Sequence, residues 1–285
     1  MDVSDASYRI ISELLHARTG QQLTEDRRWR VSSALSGLFR RRGISNVDQL
    51  VCLLAEPGNG SLADEVVEAL LNNETFFFRD RNMFDLLGEE VLPALAKRRA
   101  DTRTLRIWSA GCSTGQEVLT IGMMLHARAA QWRGWTIELL GTDISQRAIE
   151  TARAGRYTQF EVQRGLTVSE MIGHFEESAS GWVVDNGLHS QCRFMVHNLL
   201  DAPPARGGYD LVLCRNVLLY FGQRTKARAV ARLQEGMARD GFLMLGGGET
   251  LLRDTDTMQP CALHPALFEN IDAPRAAGQR RRATG

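Results

Sequence analysis

The chain has 285 residues, 44% of them apolar, enough to bury a proper core and to form one large domain plus a small one. Its 34 basic and 34 acidic residues balance, which removes any global electrostatic reason to bind nucleic acid or a membrane surface. Five scattered cysteines (Cys52, Cys112, Cys192, Cys214, Cys261) show no C-x-x-C or Cys/His spacing, so no zinc or other metal site is expected, and no apolar run reaches membrane-spanning length. Reduced thiols and the lack of a signal-peptide pattern lead us to expect a soluble cytoplasmic protein. Lys97 and Lys226 are the only lysines, an arginine bias that genome composition explains.

From residue 7 to about residue 70 the apolar positions recur at helical spacing, without strand-like alternation. Ile10, Ile11, Leu14 and Leu15 form one stripe that stops at Gly20; Val31, Leu35 and Leu38 form the next, ending near Gly43. Ser45 or Asn46 caps a third helix, and after the Pro57-Gly58-Asn59-Gly60 loop a fourth begins near Leu62. A small all-helical domain over residues 1–72 follows. Arginines crowd its second helix, and Arg27, Arg28 and Arg30 are candidates for docking an acidic partner, although a solvated helix face has the same pattern.

At the junction, Asn73-Glu74-Thr75-Phe76-Phe77-Phe78-Arg79-Asp80 places three phenylalanines between polar residues. Such a segment suits a lid, with aromatics excluding water and polar ends touching a ligand; plugging a domain interface is the plainer alternative. A helix through Phe84, Leu87 and Val91 leads past Pro93 to an apolar strand over residues 105–110. Gly111 and Gly115 then form a turn, and a helix follows through Val118, Ile121 and Leu125. Strand, glycine turn and helix is how open α/β sheets hold nucleotide-like ligands at a strand's carboxyl end. A second strand starting at Thr136 ends at Asp143, about two dozen positions after the turn, where such folds bind ribose hydroxyls. Ser145 serves as the following helix's cap and leaves Asp143 available.

Residues 156–191 break the alternation, and Asn186-Gly187 reads as the two-residue turn of a hairpin within a small antiparallel insertion. Strands follow at residues 192–196, 209–214 and 242–245, with a weaker one at 266–271. The Arg/Gly/Ala tail at 273–285 has the composition of a disordered segment. Cys112 and Cys214 end two strands expected to be neighbours, where they either pack or respond to oxidation.

The glycine turn admits three chemistries. Gly111-Cys112-Ser113-Thr114-Gly115 matches a G-x-S-x-G nucleophile elbow, for which Ser113 would need His189, His197 or His264. That elbow normally follows several strands, whereas this one follows the first of its domain. A phosphate loop needs a lysine beside its glycines, and a dinucleotide site needs a fuller glycine set; neither is present. S-adenosylmethionine occupies the same position without a pyrophosphate, which suits Gly111, Gly115 and Asp143 together.

The segment from Asn73 to Arg79 joins four further co-linear motifs: Ser109-Ala110-Gly111-Cys112-Ser113-Thr114-Gly115-Gln116-Glu117; Gly141-Thr142-Asp143-Ile144-Ser145; Asn198-Leu199; and Cys214-Arg215-Asn216-Val217-Leu218-Leu219-Tyr220-Phe221. With them, the chain resembles the CheR chemotaxis-receptor methyltransferases from about residue 8 to residue 251. Gly246-Gly247-Gly248-Glu249 is richer in glycine than the usual version, and the last thirty or so residues match poorly.

The resemblance implies an α/β, Rossmann-like S-adenosylmethionine-dependent methyltransferase sheet over residues 73–285, with the helical amino-terminal domain and the small antiparallel β insertion. It implies methyl transfer to glutamate carboxylates on chemoreceptor cytoplasmic helices, leaving S-adenosyl-L-homocysteine, by a monomer that neither inserts in the membrane nor binds nucleic acid. Asn73, Thr75, Arg79, Gly111, Glu117, Asp143, Asn198, Leu199, Asn216 and Val217 would line the cofactor site, and Arg79 and Tyr220 would orient the incoming carboxylate. A catalytically silent S-adenosylmethionine-binding signalling module is the non-enzyme alternative.

Overall fold

The computed structural model describes residues 3–179, 181–251 and 258–271; the expected tail lies outside them. The first helix, α1 (Asp5–Thr19), is capped by the Ser4 hydroxyl, which accepts from the Ser7 amide, and ends at left-handed Gly20. A short 3₁₀ turn (Glu25–Arg27) leads into α2 (Trp29–Arg42), which Gly43 terminates in the same way. Asn46 caps α3 (Val47–Ala55), and α4 (Gly60–Leu70) follows. Ile11, Val31, Leu35, Leu38, Leu50 and Val66 are buried together in one cluster, the stripes that the 3.6-residue spacing picks out.

Residues 71–80 form neither helix nor strand. Phe77 is fully buried, with its ring edge-on to those of Tyr157 and Phe175 at centroid distances of 5.3 Å each. Beyond it, α5 (Arg81–Leu86), a π-helical turn (Leu87–Val91) and α6 (Leu92–Arg98) run almost continuously. Pro93 stands just after the π-helical turn, near the start of α6.

The α/β part continues as β1 (Thr104–Ala110), α7 (Gln116–Ala127), β2 (Thr136–Asp143) and α8 (Gln146–Ala154). The insertion holds β3 (Arg156–Tyr157), α9 (Gln159–Gln163), α10 (Val168–His174), β4 (Phe175–Ser178) and β5 (Gly181–Val184). Next come α11 (Asn186–His189), β6 (Cys192–Val196), β7 (Tyr209–Cys214), α12 (Gln223–Gly236), β8 (Met237–Leu245), β9 (Met258–Pro260) and β10 (Leu267–Asn270). Seven strands form one sheet in the order β6-β2-β1-β7-β8-β10-β9. β1 pairs parallel with both β2 and β7, so the chain reverses its direction of winding there, and ligands bind such sheets at that point. Only β10 and β9 run antiparallel to their neighbours.

The insertion is antiparallel as expected, in the order β3-β5-β4, but its hairpin is not where the Asn186-Gly187 pair suggests. β4 and β5 pair antiparallel, with Ser178 opposite Gly181. Asn186 and Gly187 instead open α11, because the Asp185 carboxylate accepts from the Leu188 amide at 3.1 Å and makes an N-cap of the site. Leu188, fully buried in the main core, then carries the chain toward β6. The insertion is fastened to the start of α5 by Arg81, which donates to both carboxylate oxygens of Glu170 and to the Gly165 carbonyl.

Candidate functional site

The site grows from the end of β1. The amides of Gly111 and Cys112 both donate to the Thr142 carbonyl at the end of β2, at 2.7 and 2.9 Å, folding the turn across the sheet's carboxyl edge. Gly111 and Gly115 adopt φ of 83° and 95°, a region that side chains disfavour. Space is also short, since a Cβ on Gly111 would lie 2.3 Å from Val217 Cγ2. Gly111→Ala is therefore expected to push Val217 out of the wall and raise the Kd for S-adenosylmethionine at least about tenfold, as read by calorimetry. Unchanged affinity would show that this contact does not shape the pocket.

Around the turn lies a cavity of about 930 Å³, counting its open mouth. Every residue assigned above to cofactor or carboxylate borders it: Asn73, Thr75 and Arg79 from the 71–80 segment, Gly111 and Glu117 from the turn and α7, and Asp143 from β2. Asn198 and Leu199 follow β6, and Asn216, Val217 and Tyr220 follow β7. Residues from four separate strand ends meet here, as the topology requires.

Asp143 is half-buried; desolvation raises its pKa, an effect only partly offset by N–H donors from Ser145 and Ser113 at 2.9 and 2.8 Å. Each of its oxygens keeps a further lone pair for a ligand hydroxyl. Ser145 caps α8 by accepting from the Ala148 amide at 3.0 Å, as expected. It also donates to Glu68 of α4 and accepts from Asn73 Nδ2 at 3.1 Å, tying the helical region, the 71–80 segment and the β2 loop together.

Glu117 accepts from Ser109 Oγ at 2.8 Å and from Arg215 Nη1 at 3.0 Å. Arg215, with 2% of its side chain exposed, also donates to Asp80 Oδ2 and to the Arg79 carbonyl, each at 2.6 Å. Neither Arg215 nor Glu68 was singled out as a site residue in the sequence. Arg215 stands inside the Cys214–Phe221 motif, and an arginine directly after a buried strand was the signal available.

Arg79 is half-buried; Nη1 donates to the Glu74 carbonyl at 2.9 Å, and its guanidinium carbon lies 5.8 Å from the Phe76 ring centre. The Tyr220 hydroxyl accepts from Asn72 Nδ2, and the Arg27 guanidinium stacks 4.9 Å over the Tyr220 ring. The helical region also reaches this loop through the Gln22 amide, which donates to the Tyr220 carbonyl at 2.7 Å, and through a bridge between Gln21 and Phe221. Within the arginine cluster, Arg28 is engaged internally: it pairs with Asp5 at 2.6 Å, donates to the Val3 carbonyl and stacks on Tyr8. Arg27 reaches the ring of the pocket residue Tyr220, and Arg30 is half-buried on α2.

A nucleophile elbow is not assembled. Ser113 Oγ donates to the Asn73 carbonyl at 2.7 Å, and the three candidate histidines bond elsewhere, His189 to the Ala152 carbonyl, His197 to the Ala202 carbonyl and His264 to the Ala266 amide. The thiols of Cys112 and Cys214 are buried and their pKa values raised well above the usual range by burial, so they are neutral packing groups.

S-adenosylmethionine fits these walls. Asn216, at φ 59°, holds a buried Oδ1 that has no hydrogen-bond partner on the pocket wall, an acceptor suited to a ligand donor. With Glu117 and Asp143 it forms an acceptor-rich lining matched to a cation that carries an ammonium and ribose hydroxyls, and no lysine borders the cavity.

Residues 73–266 match the family model described as CheR methyltransferase, SAM binding domain. The chain is 32% identical to "Chemotaxis protein methyltransferase 1" of Pseudomonas aeruginosa, over 94% of this chain and 98% of that protein. It is 30% identical to "Chemotaxis protein methyltransferase" of Vibrio parahaemolyticus over the same shares of the two chains. A protein of the same description from Borreliella burgdorferi is 28% identical over 84% of this chain and 86% of its own length.

Proposed function

Because the chain belongs to the CheR methyltransferase family and is an S-adenosylmethionine-dependent methyltransferase, we propose that it esterifies glutamate side chains on the cytoplasmic helices of chemoreceptors. One observation carries the reading: the lid residue Arg79 and the loop residue Tyr220, far apart in sequence, border the same cavity as Asp143 and Glu117. Asp143, Glu117 and Asn216 would hold the cofactor, which would supply an electrophilic methyl group for the carboxylate oxygen and leave as the neutral thioether. The glutamate has a pKa of about 4.3 and is already ionised at neutral pH, so the protein has no proton to remove. Its residues therefore work by alignment and drying. Arg79 offers forked N–H donors to the carboxylate, Tyr220 a directed hydroxyl, and Phe76 closes the wall between them against water.

Arg27, stacked on the Tyr220 ring, and Arg30, half-buried on α2, offer positive charge suited to an acidic receptor helix, whereas Arg28 pairs with Asp5 inside the helical region. β4 is an edge strand of its three-stranded sheet, an arrangement to which a receptor tail can add as a further strand. In this reading one chain suffices, since a single copy completes the pocket, and it acts on the cytoplasmic side of the receptors.

The test incubates the protein with methyl-labelled S-adenosylmethionine and receptor-bearing membranes and measures base-labile methanol. Label in the receptor is the expected result, and tight cofactor binding without transfer would identify a silent sensor instead. Reversing Arg27 and Arg30 to glutamate should raise the KM for receptor about tenfold at low salt and leave the Kd for S-adenosylmethionine unchanged. An unchanged KM would remove the docking assignment.

A further inference from the structure

The glycine-rich stretch after β8 ends in Glu249, a buried carboxylate with 7% of its surface exposed that borders no ligand cavity. It spends its oxygens entirely on backbone. Oε2 accepts from the amides of Asn216 at 2.7 Å and Gly246 at 2.9 Å, and Oε1 accepts from the Leu219 amide at 3.1 Å. Asn216 is held there in the left-handed region at φ 59°. Leu219 belongs to the 3₁₀ turn Leu218–Tyr220, so its amide fixes the turn that presents Tyr220. The approach is close: a Cβ on Gly246 would stand 2.8 Å from Glu249 Oε2 and 3.0 Å from the Asn216 nitrogen. The glycine therefore makes room for the carboxylate to reach the loop.

We infer that Glu249 is a positioning residue for methyl transfer, one carboxylate that sets the spacing between the cofactor-facing Asn216 and the substrate-facing Tyr220. Its two oxygens divide the task. Oε2 holds Asn216 with its unpaired Oδ1 on the pocket wall, and Oε1 holds the turn carrying the Tyr220 hydroxyl. A carboxylate is required because all three partners are donors; an amide has one oxygen to offer and turns an NH₂ toward the third. The inference rests on the reading of Tyr220 given above, and amide exchange makes the two separable.

In Glu249→Gln, the remaining oxygen still accepts from Asn216 and Gly246, and the amide nitrogen faces the Leu219 N–H. The expected result is faster exchange at the Leu219 amide, a kcat lower by about tenfold, and a Kd for S-adenosylmethionine within about threefold of the parent. In Glu249→Ala both arms are lost, so exchange quickens at Asn216 as well and the Kd also rises about tenfold or more. A merely structural role would instead lower stability, affinity and turnover in parallel in both variants. If Glu249→Ala fails to fold, the isosteric glutamine variant carries the test alone. Unchanged Leu219 exchange in Glu249→Gln overturns the inference, as does an unchanged kcat while Tyr220→Phe is impaired. Accelerated Leu219 exchange together with a fully active Tyr220→Phe upholds the clamp and removes the substrate role of Tyr220.

Discussion

Arg79→Ala is expected to lower kcat for methyl transfer by about a hundredfold while changing the Kd for S-adenosylmethionine by no more than about threefold. The guanidinium is seated by one hydrogen bond to the Glu74 carbonyl and by the Phe76 ring, which leaves most of its five N–H donors for an incoming carboxylate. That contact matters when the carboxylate oxygen must lie in line with the methyl–sulfur bond, a constraint of the transition state rather than of cofactor binding. Arg79→Lys should recover little, because a single ammonium cannot hold both carboxylate oxygens in one plane. Tyr220→Phe removes one hydroxyl and should cost about tenfold in kcat. Single-turnover rates with receptor, set beside calorimetric cofactor affinities, make the measurement. An Arg79→Ala enzyme that turns over normally would remove the substrate role of Arg79, and one that loses affinity and turnover equally would assign it to the cofactor alone.

Arg215→Ala is expected to destabilise the protein by about 3–5 kcal/mol, the cost of removing one partner from a buried charge network. Arg215 bridges Glu117, whose side chain is 12% exposed, and Asp80, which at 46% has water to turn to. Deleting the guanidinium strands mainly the Glu117 carboxylate, and it releases the 71–80 segment where the Arg79 carbonyl was held. Urea denaturation gives the stability loss, and cofactor titration should show affinity falling at least about tenfold in the same variant. Adding Glu117→Gln to Arg215→Ala should restore part of the stability, since the stranded charge is then gone. A loss within about 1 kcal/mol would mean that water reaches Glu117 and the pair is not buried in solution.

What the sequence determined by itself is whatever neighbours along the chain decide. Ser4, Asn46 and Ser145 cap their helices because a side-chain oxygen reaches an amide three residues on, whatever the rest of the protein does. Gly20 and Gly43 end theirs because they enter the left-handed region at little cost. The turn at Gly111 and the acid at Asp143 were legible together, since strand and helix periods place both at one edge of a parallel sheet. The co-linear motifs extended that reading to Asn73, Asn198 and Asn216, all of which border the cavity.

The tertiary structure alone decided where side chains with distant partners go. Arg215 meets a carboxylate 98 residues away, Glu68 a hydroxyl 77 away, and Glu249 amides 30 and 33 away. No spacing rule encodes such pairs, because they depend on which strands become neighbours. The same reason undid the hairpin expected at Asn186-Gly187: local turn preference is worth little against the Asp185 cap and the burial of Leu188 in the core. It also divided the arginine cluster, whose members look alike in sequence. Arg28 found Asp5 and Arg27 found the Tyr220 ring, and only the docking of helices on sheet sets which charge is spent on the fold and which faces the site.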